Sequence, residues 1–186
     1  MTQPEPDTKD WTWVLERPCD YCGFDATTLD PKDVAGLIRS NAASWREVLG
    51  RGEIVRTRPP GHDVVWSALE YGAHVRDVHR LGAERVTLML TEDNPEFADW
   101  DQDETAAESN YLAEDPAKVA YELAVAAGAF AGLLDKVKDT SWDRPGLRSN
   151  GSRFTIASFA KYALHDPVHH LKDVELGFEA LAELET

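Results

Sequence analysis

Apolar residues recur at three- and four-residue steps in four long segments of the chain, a spacing that is typical of amphipathic helices. In the second segment, for example, Tyr71, Val75 and Val78 share one stripe with further apolar residues on either side. The stretches between the segments are rich in proline, glycine and acidic residues and keep no sustained period. The pattern therefore predicts four helices, over about residues 30–50, 61–90, 115–137 and 155–184.

The first and third predicted helices open with the same start signal, Asp30-Pro31 and Asp115-Pro116. An aspartate before the first turn can accept hydrogen bonds from unpaired N–H groups. A proline in the first helical position costs the helix no hydrogen bond, because the N–H at that position has no partner within the helix. Residues 91–114 carry many acids and no period, so we expect a long, partly ordered connection there. No segment alternates as a strand does. The predicted fold class is therefore all-α, a four-helix bundle with a long connection between helices 2 and 3.

The length of 186 residues, 42% of them hydrophobic, suits one domain with a genuine core. We predict an N-terminal extension over residues 1–29, which contains Cys19 and Cys22, followed by a bundle domain over residues 30–186. The first ten residues are polar, include two prolines and are expected to lack fixed structure. Trp11 and its apolar neighbours could anchor the rest of the extension to the bundle.

Acidic residues number 34 against 19 basic ones, which gives a formal net charge of -15. The averaged surface field therefore repels phosphate backbones and anionic lipid headgroups, so nucleic acid and membranes are poor candidate partners. No apolar run approaches the roughly 20 residues that cross a bilayer, and the N-terminus does not resemble a signal peptide. We expect a cytoplasmic protein that binds a small-molecule substrate; a homodimer is left open.

Five of the six histidines fall in two short windows, residues 71–79 and 165–170, and the spacing of some of them favours metal binding. His165 and His169 are about one helical turn apart, so both imidazoles leave the same face and can meet one divalent ion. His74 borders the apolar stripe of the second helix, which makes it available as a third ligand. The sequence thus predicts a metal site of His74, His165 and His169 with an open position for water or substrate. The alternative is that histidines four residues apart arise by chance on an exposed helix.

Several other residues near these histidines could support such a site. Asp77, Asp166 and Asp173 could each accept the second ring N–H of a ligand histidine; the alternative is that each is a solvated helix charge. Pro167 lies inside the fourth predicted helix, where it frees a carbonyl of the preceding turn and bends the axis. His79 is interpreted as a hydrogen-bonded polar residue on the flank of the second helix.

One histidine on the second helix, followed much later by His-x-x-x-His-His at residues 165–170 on the fourth, resembles the DinB-like superfamily. That superfamily includes the mycothiol-dependent maleylpyruvate isomerases and bacterial thiol transferases. The resemblance covers roughly residues 31–182. The strings at residues 76–80, 88–93 and 100–103 are similar to an actinobacterial branch of the superfamily.

The resemblance implies a four-helix bundle that binds a divalent ion, such as zinc or nickel, through three side chains that match His74, His165 and His169. It also implies a metal-dependent transferase or isomerase that uses a low-molecular-weight thiol such as mycothiol. The alternative is a non-catalytic metal-binding or protein-interaction module of the same fold. An enzyme needs polar groups around the thiol, for example Arg76 or Arg80 or Arg153, whereas a module does not.

The Cys-Asp-Tyr-Cys turn of the extension lies outside this family pattern and has three interpretations. Cys19 and Cys22 could supply half of a zinc site, but the second half is missing unless His62 or another chain contributes it. They could form a redox pair, although the strand and helix of a thioredoxin motif are absent from the predicted elements. They could also be partly buried loop cysteines, which is the interpretation that we expect to hold.

Overall fold

The computed structural model describes residues 10–60 and 65–184, and most of these residues are helical. The helices are α1 (Val34–Leu49), α2 (Ala68–Thr91), α3 (Gln102–Ser109), α4 (Pro116–Leu134) and α5 (Ile156–Glu183). The strands are β1 (Glu96–Phe97), β2 (Pro145–Arg148) and β3 (Arg153–Thr155). Helices α1, α2, α4 and α5 form a bundle in which α4 packs on α1 and α2, and α5 packs on α2 and α1. The predicted four-helix bundle is confirmed.

Local capping contacts explain where the bundle helices begin. The Asp30 carboxylate accepts a hydrogen bond from the backbone of Lys32 in the 3-10 turn that leads into α1, and Asp115 accepts two from the first turn of α4. At the start of α2, Ser67 and Glu70 form a reciprocal capping box. The predicted start of this helix at residues 61–63 lies outside the described residues, and the observed helix begins directly after Ser67.

The connection between α2 and α4 contains more regular structure than the sequence indicates. It holds β1 and α3 and a 3-10 turn at Tyr111–Ala113, in which the Tyr111 side chain is buried. Strand β1 pairs in parallel with β2, which pairs antiparallel with β3 just before α5. The sheet was not predicted because strands of two to four residues are too short to show an alternating pattern.

Pro167 lies inside α5, as predicted, and its carbonyl links α5 to α1. The fully buried indole of Trp45 donates to this carbonyl from Nε1 at 3.0 Å, and Asn41 donates from Nδ2 at 3.2 Å. Proline supplies no N–H to the preceding turn, so the helix loses one internal hydrogen bond at this point. The two donors from α1 therefore hold in place the turn of α5 that carries the clustered histidines.

Helix α4 is more apolar than the sequence analysis allowed. An 18-residue window of this 19-residue helix has a mean hydropathy of 1.4, so by length and composition it could cross a membrane. Val119, Leu123 and Phe130 are nevertheless buried in a core that α4 shares with α1 and α2. The core helix of a bundle passes the same test, so its composition is weak evidence of a membrane span.

The environment of His79 on α2 differs from the one that the sequence predicts. The side chain is fully buried, and neither ring nitrogen has a hydrogen-bond partner among the described residues. Burial lowers the pKa of His79 from 6.5 to about 4, and the negative charge of Asp166 opposes that shift only in part. The imidazole is therefore neutral in the folded protein at physiological pH.

Replacing His79 with leucine should make the free energy of unfolding less dependent on pH. The unfolded chain binds a proton at this residue near pH 6.5 whereas the folded protein binds one only near pH 4, so stability falls as the pH drops through this window. The slope from one such group is at most about 1.4 kcal/mol per pH unit. Urea unfolding of both proteins from pH 8 to pH 4.5 in one buffer series measures the difference. Parallel curves would contradict the prediction.

Candidate metal centre

The three histidines that the sequence assigns to one ion fall into two groups in the structure. His74 of α2 lies with Asp166 and His170 of α5, and the three donor atoms are within 4.8 Å of one another. His165 and His169 lie together in a separate group, described below. One ion held by all three histidines stays a prediction, and the structure adds two alternative sets of ligands.

Helix geometry explains why α5 contributes to two groups. Residues four apart share a face, so His165 pairs with His169, and Asp166 pairs with His170. Each step along a helix turns the side chain by about 100°, so the second pair faces a different direction from the first. The pair of Asp166 and His170 meets His74 of α2. Sequence reasoning missed this pair because it considered histidines alone, although the same i,i+4 spacing was present.

We call His74, Asp166 and His170 the His2Asp group. Nε2 of His74 lies 3.0 Å from Oδ1 of Asp166, and Nε2 of His170 lies 3.7 Å from the same oxygen. The His74 ring is fully buried and stacks on Trp100, with 5.4 Å between ring centroids and 7° between planes. Nδ1 of His170 lies 2.7 Å from Oδ2 of Asp173. Two imidazoles and a carboxylate thus converge beneath an indole.

Electrostatic interactions keep both carboxylates of this region ionised. Burial raises the pKa of Asp166, but the interactions with His74 and His170 outweigh it and hold the pKa well below its usual range. Burial likewise raises the pKa of Asp173, and the contact with His170 more than compensates. Asp166 is therefore an ionised candidate ligand for a metal ion, and Asp173 orients the His170 ring.

Asp77, Asp166 and Asp173 were the carboxylates predicted to support the metal-binding histidines. Asp77 is the one of the three that does not contact such a histidine in the described part of the chain. It pairs with Arg76 and Arg80 and accepts a hydrogen bond of 2.7 Å from the hydroxyl of Tyr111. Arg76 also pairs with Glu114. The two arginines that the sequence offered as contacts for a thiol cofactor are thus held in ion pairs.

The second group consists of Cys19, Cys22, His165 and His169, and we call it the Cys2His2 group. All four donor atoms lie within 4.8 Å of one another, and Sγ of Cys19 is 3.7 Å from Nδ1 of His169. Two histidines of α5 in the same chain thus lie beside the cysteines, where the sequence did not reveal a partner for them. The candidate partner that the sequence offered, His62, lies outside the described residues.

Burial governs protonation in the Cys2His2 group. It raises the pKa of the Cys22 thiol to about 11. It lowers the pKa of His165 to about 4, with a further contribution from the charge of His169. Both side chains are therefore neutral at physiological pH when nothing is bound to them.

A cavity of about 1010 Å³ adjoins both groups. Asp166 and His170 form part of its wall, together with Trp100. Arg85 and Arg148 also line it, whereas the predicted candidate Arg153 is exposed on β3. A cavity of this size can enclose a small molecule.

The two cavity arginines are well placed to attract an anion. Arg85 is buried and donates to the carbonyl of Ala98 at 2.8 Å, while Arg148 pairs with Asp99 and donates to the hydroxyl of Tyr162. Within the described part of the chain, Nε of each guanidinium is buried without a hydrogen-bond partner. Burial and the charge of Arg148 lower the pKa of Arg85 to about 10, so it stays charged at neutral pH.

The fold and this site define a four-helix bundle whose histidine and carboxylate donors line part of a cavity, with two cysteines close to two of those histidines. The family profile of the DinB superfamily matches residues 45–174, well over half of the chain. The protein therefore belongs to the DinB superfamily, and the predicted family is confirmed.

Comparison of structures supports the same fold. The chain is similar to YfiT from Bacillus subtilis, described as a probable metal-dependent hydrolase with an unusual four-helix bundle topology. The TM-score is 0.69 at 19% sequence identity, and the match covers 80% of this chain and 86% of that chain. At this level of identity the likeness shows the fold. No curated protein matches the sequence.

Proposed function

We propose that the protein is a metal-dependent enzyme whose divalent ion is bound by the His2Asp group and whose small-molecule substrate enters the adjoining cavity. The observation that carries the proposal is the convergence of His74, Asp166 and His170 within 4.8 Å beside that cavity. Three protein ligands leave at least one coordination position open, which is the arrangement of catalytic rather than structural sites. A cytoplasmic location is part of the same proposal.

The residues present fit a divalent transition-metal ion. Imidazole nitrogens suit zinc and nickel, and an ionised carboxylate adds a compensating charge. Nε2 of the buried His74 faces Oδ1 of Asp166 at 3.0 Å, so it is the nitrogen that would bind an ion shared with that carboxylate. Nδ1 of His170 lies 2.7 Å from Oδ2 of Asp173, and its Nε2 lies 3.7 Å from Oδ1 of Asp166, on the side of the ring that faces the group.

A divalent ion held there lowers the pKa of a bound water or thiol and so supplies a nucleophile at neutral pH. The protein's own residues prepare the site for this chemistry. Asp173 fixes the orientation of His170, and Trp100 covers the ring of His74 and shields it from solvent. Arg85 and Arg148 place positive charge at a cavity that six aspartates also line, so these two side chains are its arginine partners for a carboxylate or another anionic group of a substrate.

Two reactions fit a nucleophile generated in this way. The first, which we favour from the family resemblance, is transfer or isomerisation with a low-molecular-weight thiol such as mycothiol. The second is hydrolysis, which the similarity to YfiT supports. A non-catalytic metal-binding module would need neither the cavity nor its two arginines.

Activity of the metal-free and reloaded protein tests the proposal. The protein is stripped with a chelator, reloaded with zinc or nickel, and assayed with thiol acceptors and with ester and amide substrates that carry an acidic group. We expect turnover only after reloading. Arg148→Met should raise KM for acidic substrates by about tenfold or more, because it removes a partly buried partner for their charge.

The exposed Arg153→Met variant is the matched control and should behave as wild type. Thiol-dependent turnover would identify a transferase or isomerase, and turnover without thiol a hydrolase. Tight metal binding without either reaction would favour the non-catalytic module.

A further inference from the structure

The Cys2His2 group joins two parts of the chain that are far apart in sequence. Cys19 and Cys22 lie in the N-terminal segment, while His165 and His169 lie one turn apart on α5. Cysteines separated by two residues and histidines separated by three are the ligand spacings of structural zinc sites. We propose that this group binds one zinc ion as a closed structural site, separate from the His2Asp group.

The measured distances suit a tetrahedral ion. Zn–S bonds of about 2.3 Å and Zn–N bonds of about 2.0–2.1 Å at tetrahedral angles place sulfur and nitrogen about 3.6 Å apart. Sγ of Cys19 and Nδ1 of His169 are 3.7 Å apart, so an ion can bridge them with almost no movement. Nε2 of His165 is buried and lacks a hydrogen-bond partner in the described part of the chain. Coordination would satisfy this nitrogen.

The turn that carries the cysteines is shaped by its own backbone. The N–H of Gly23 donates to the carbonyl of Cys19, and the N–H of Cys19 donates to the carbonyl of Phe24, each at 2.8 Å. Gly23 has a φ of +75°, in the left-handed region that favours glycine. The two sulfurs are therefore held in position before any ion binds.

Aromatic rings surround the two histidines and limit the access of water. The centroid of Trp11 lies 5.5 Å from that of His165 and 4.9 Å from that of His169. Tyr21 lies 4.8 Å from His169, and Phe24 lies 5.6 Å from His165. Four protein ligands with this cover leave no position for substrate, which distinguishes the site from the three-ligand His2Asp group.

The zinc ion would attach the N-terminal segment to α5 next to the proposed catalytic centre. Tyr21, which lies between the two cysteines, donates a hydrogen bond of 2.6 Å to Asp173. Asp173 in turn contacts His170 of the His2Asp group. The zinc ion would thus hold Tyr21 against Asp173, the residue that orients the proposed metal ligand His170.

Metal analysis of matched variants tests the site. Zinc-loaded wild type should hold about two ions per chain, one for each donor group. The Cys19→Ser, Cys22→Ser double variant should hold about one, because serine is a poor ligand for a borderline-soft ion. His74→Ala is the reciprocal control and should lose the other ion, so failure of the catalytic proposal is distinguishable from failure of this one.

Two measurements that do not need the double variant keep the test decisive even where that variant does not fold. Cobalt(II) bound by the cysteines should produce thiolate-to-metal absorption in the near ultraviolet, and His74→Ala should retain it. The partly exposed Cys22 should resist iodoacetamide at alkaline pH in the zinc-loaded protein and react after a chelator is added. Absence of the cobalt–thiolate absorption, or alkylation equally fast with and without zinc, would overturn the proposal.

Discussion

Replacing His170 with alanine should weaken divalent-metal binding at the His2Asp group by about 100-fold or more and remove the metal-dependent activity. Loss of residues that merely orient a metal ligand costs about 10–100-fold in affinity or activity, and a direct ligand should cost at least as much. The variant leaves His74 and Asp166 in place, with their contact of 3.0 Å intact. Competition with a chromophoric chelator measures the affinity, and the proposed reaction measures the activity.

The same variant separates the two possible uses of the histidines. If one ion is bound by His74, His165 and His169, His170→Ala should keep its metal while His165→Ala loses it. If the His2Asp and Cys2His2 groups bind separately, each variant should lose one ion and keep the other. The cobalt–thiolate absorption identifies which ion remains, because only the Cys2His2 group contains sulfur.

Arg76→Met should destabilise the protein by about 3–5 kcal/mol, the cost of leaving buried charges without their partner. The Arg76 side chain is 5% exposed and pairs with Asp77, Glu114 and Glu122, which are themselves largely buried. Burial raises the pKa of Asp77, but the contacts with Arg76 and the hydroxyl of Tyr111 outweigh it and hold that pKa below its usual range. Without Arg76, three acidic groups would face one another, and urea unfolding at pH 7 would measure the loss.

Arg80→Met is the matched control for that experiment. Arg80 pairs with Asp77 and Glu122 as well, but its side chain is 51% exposed. Ion pairs of this kind contribute about 0–1 kcal/mol because water and salt screen them. An equal loss of unfolding free energy in the two variants would contradict the prediction, because it would show that burial of the Arg76 guanidinium does not increase its contribution to stability.

The helices were predictable because their signals are local. The Asp115 cap acts on the next turn of backbone, two and three residues away, and α4 duly begins at Pro116. The predicted end at residue 137 is late, since the observed helix ends at Leu134. Strand β1 pairs with β2 about 50 positions away, for which no local period exists, and the β2–β3 pair is local but too short to show one.

The candidate site was only partly predictable, for the same reason. The i,i+4 spacing of His165 and His169 is local, and the structure does bring these two residues together. The choice of partner is not local, because it depends on which chain segments pack on each face of α5. The cysteines were interpreted as loop residues since nothing in their neighbourhood specifies a contact with α5.

The sequence by itself determined the four bundle helices, the superfamily and the residue types that can bind a metal, because periodicity, caps and short motifs act within a few residues. Only the tertiary structure decided how those residues are grouped. Packing of α2 on α5 places His74 beside Asp166, and docking of the N-terminal segment places Cys19 beside His169. Both contacts join residues about 90 to 150 positions apart, and distances of that kind are set by the packing of whole elements rather than by local spacing.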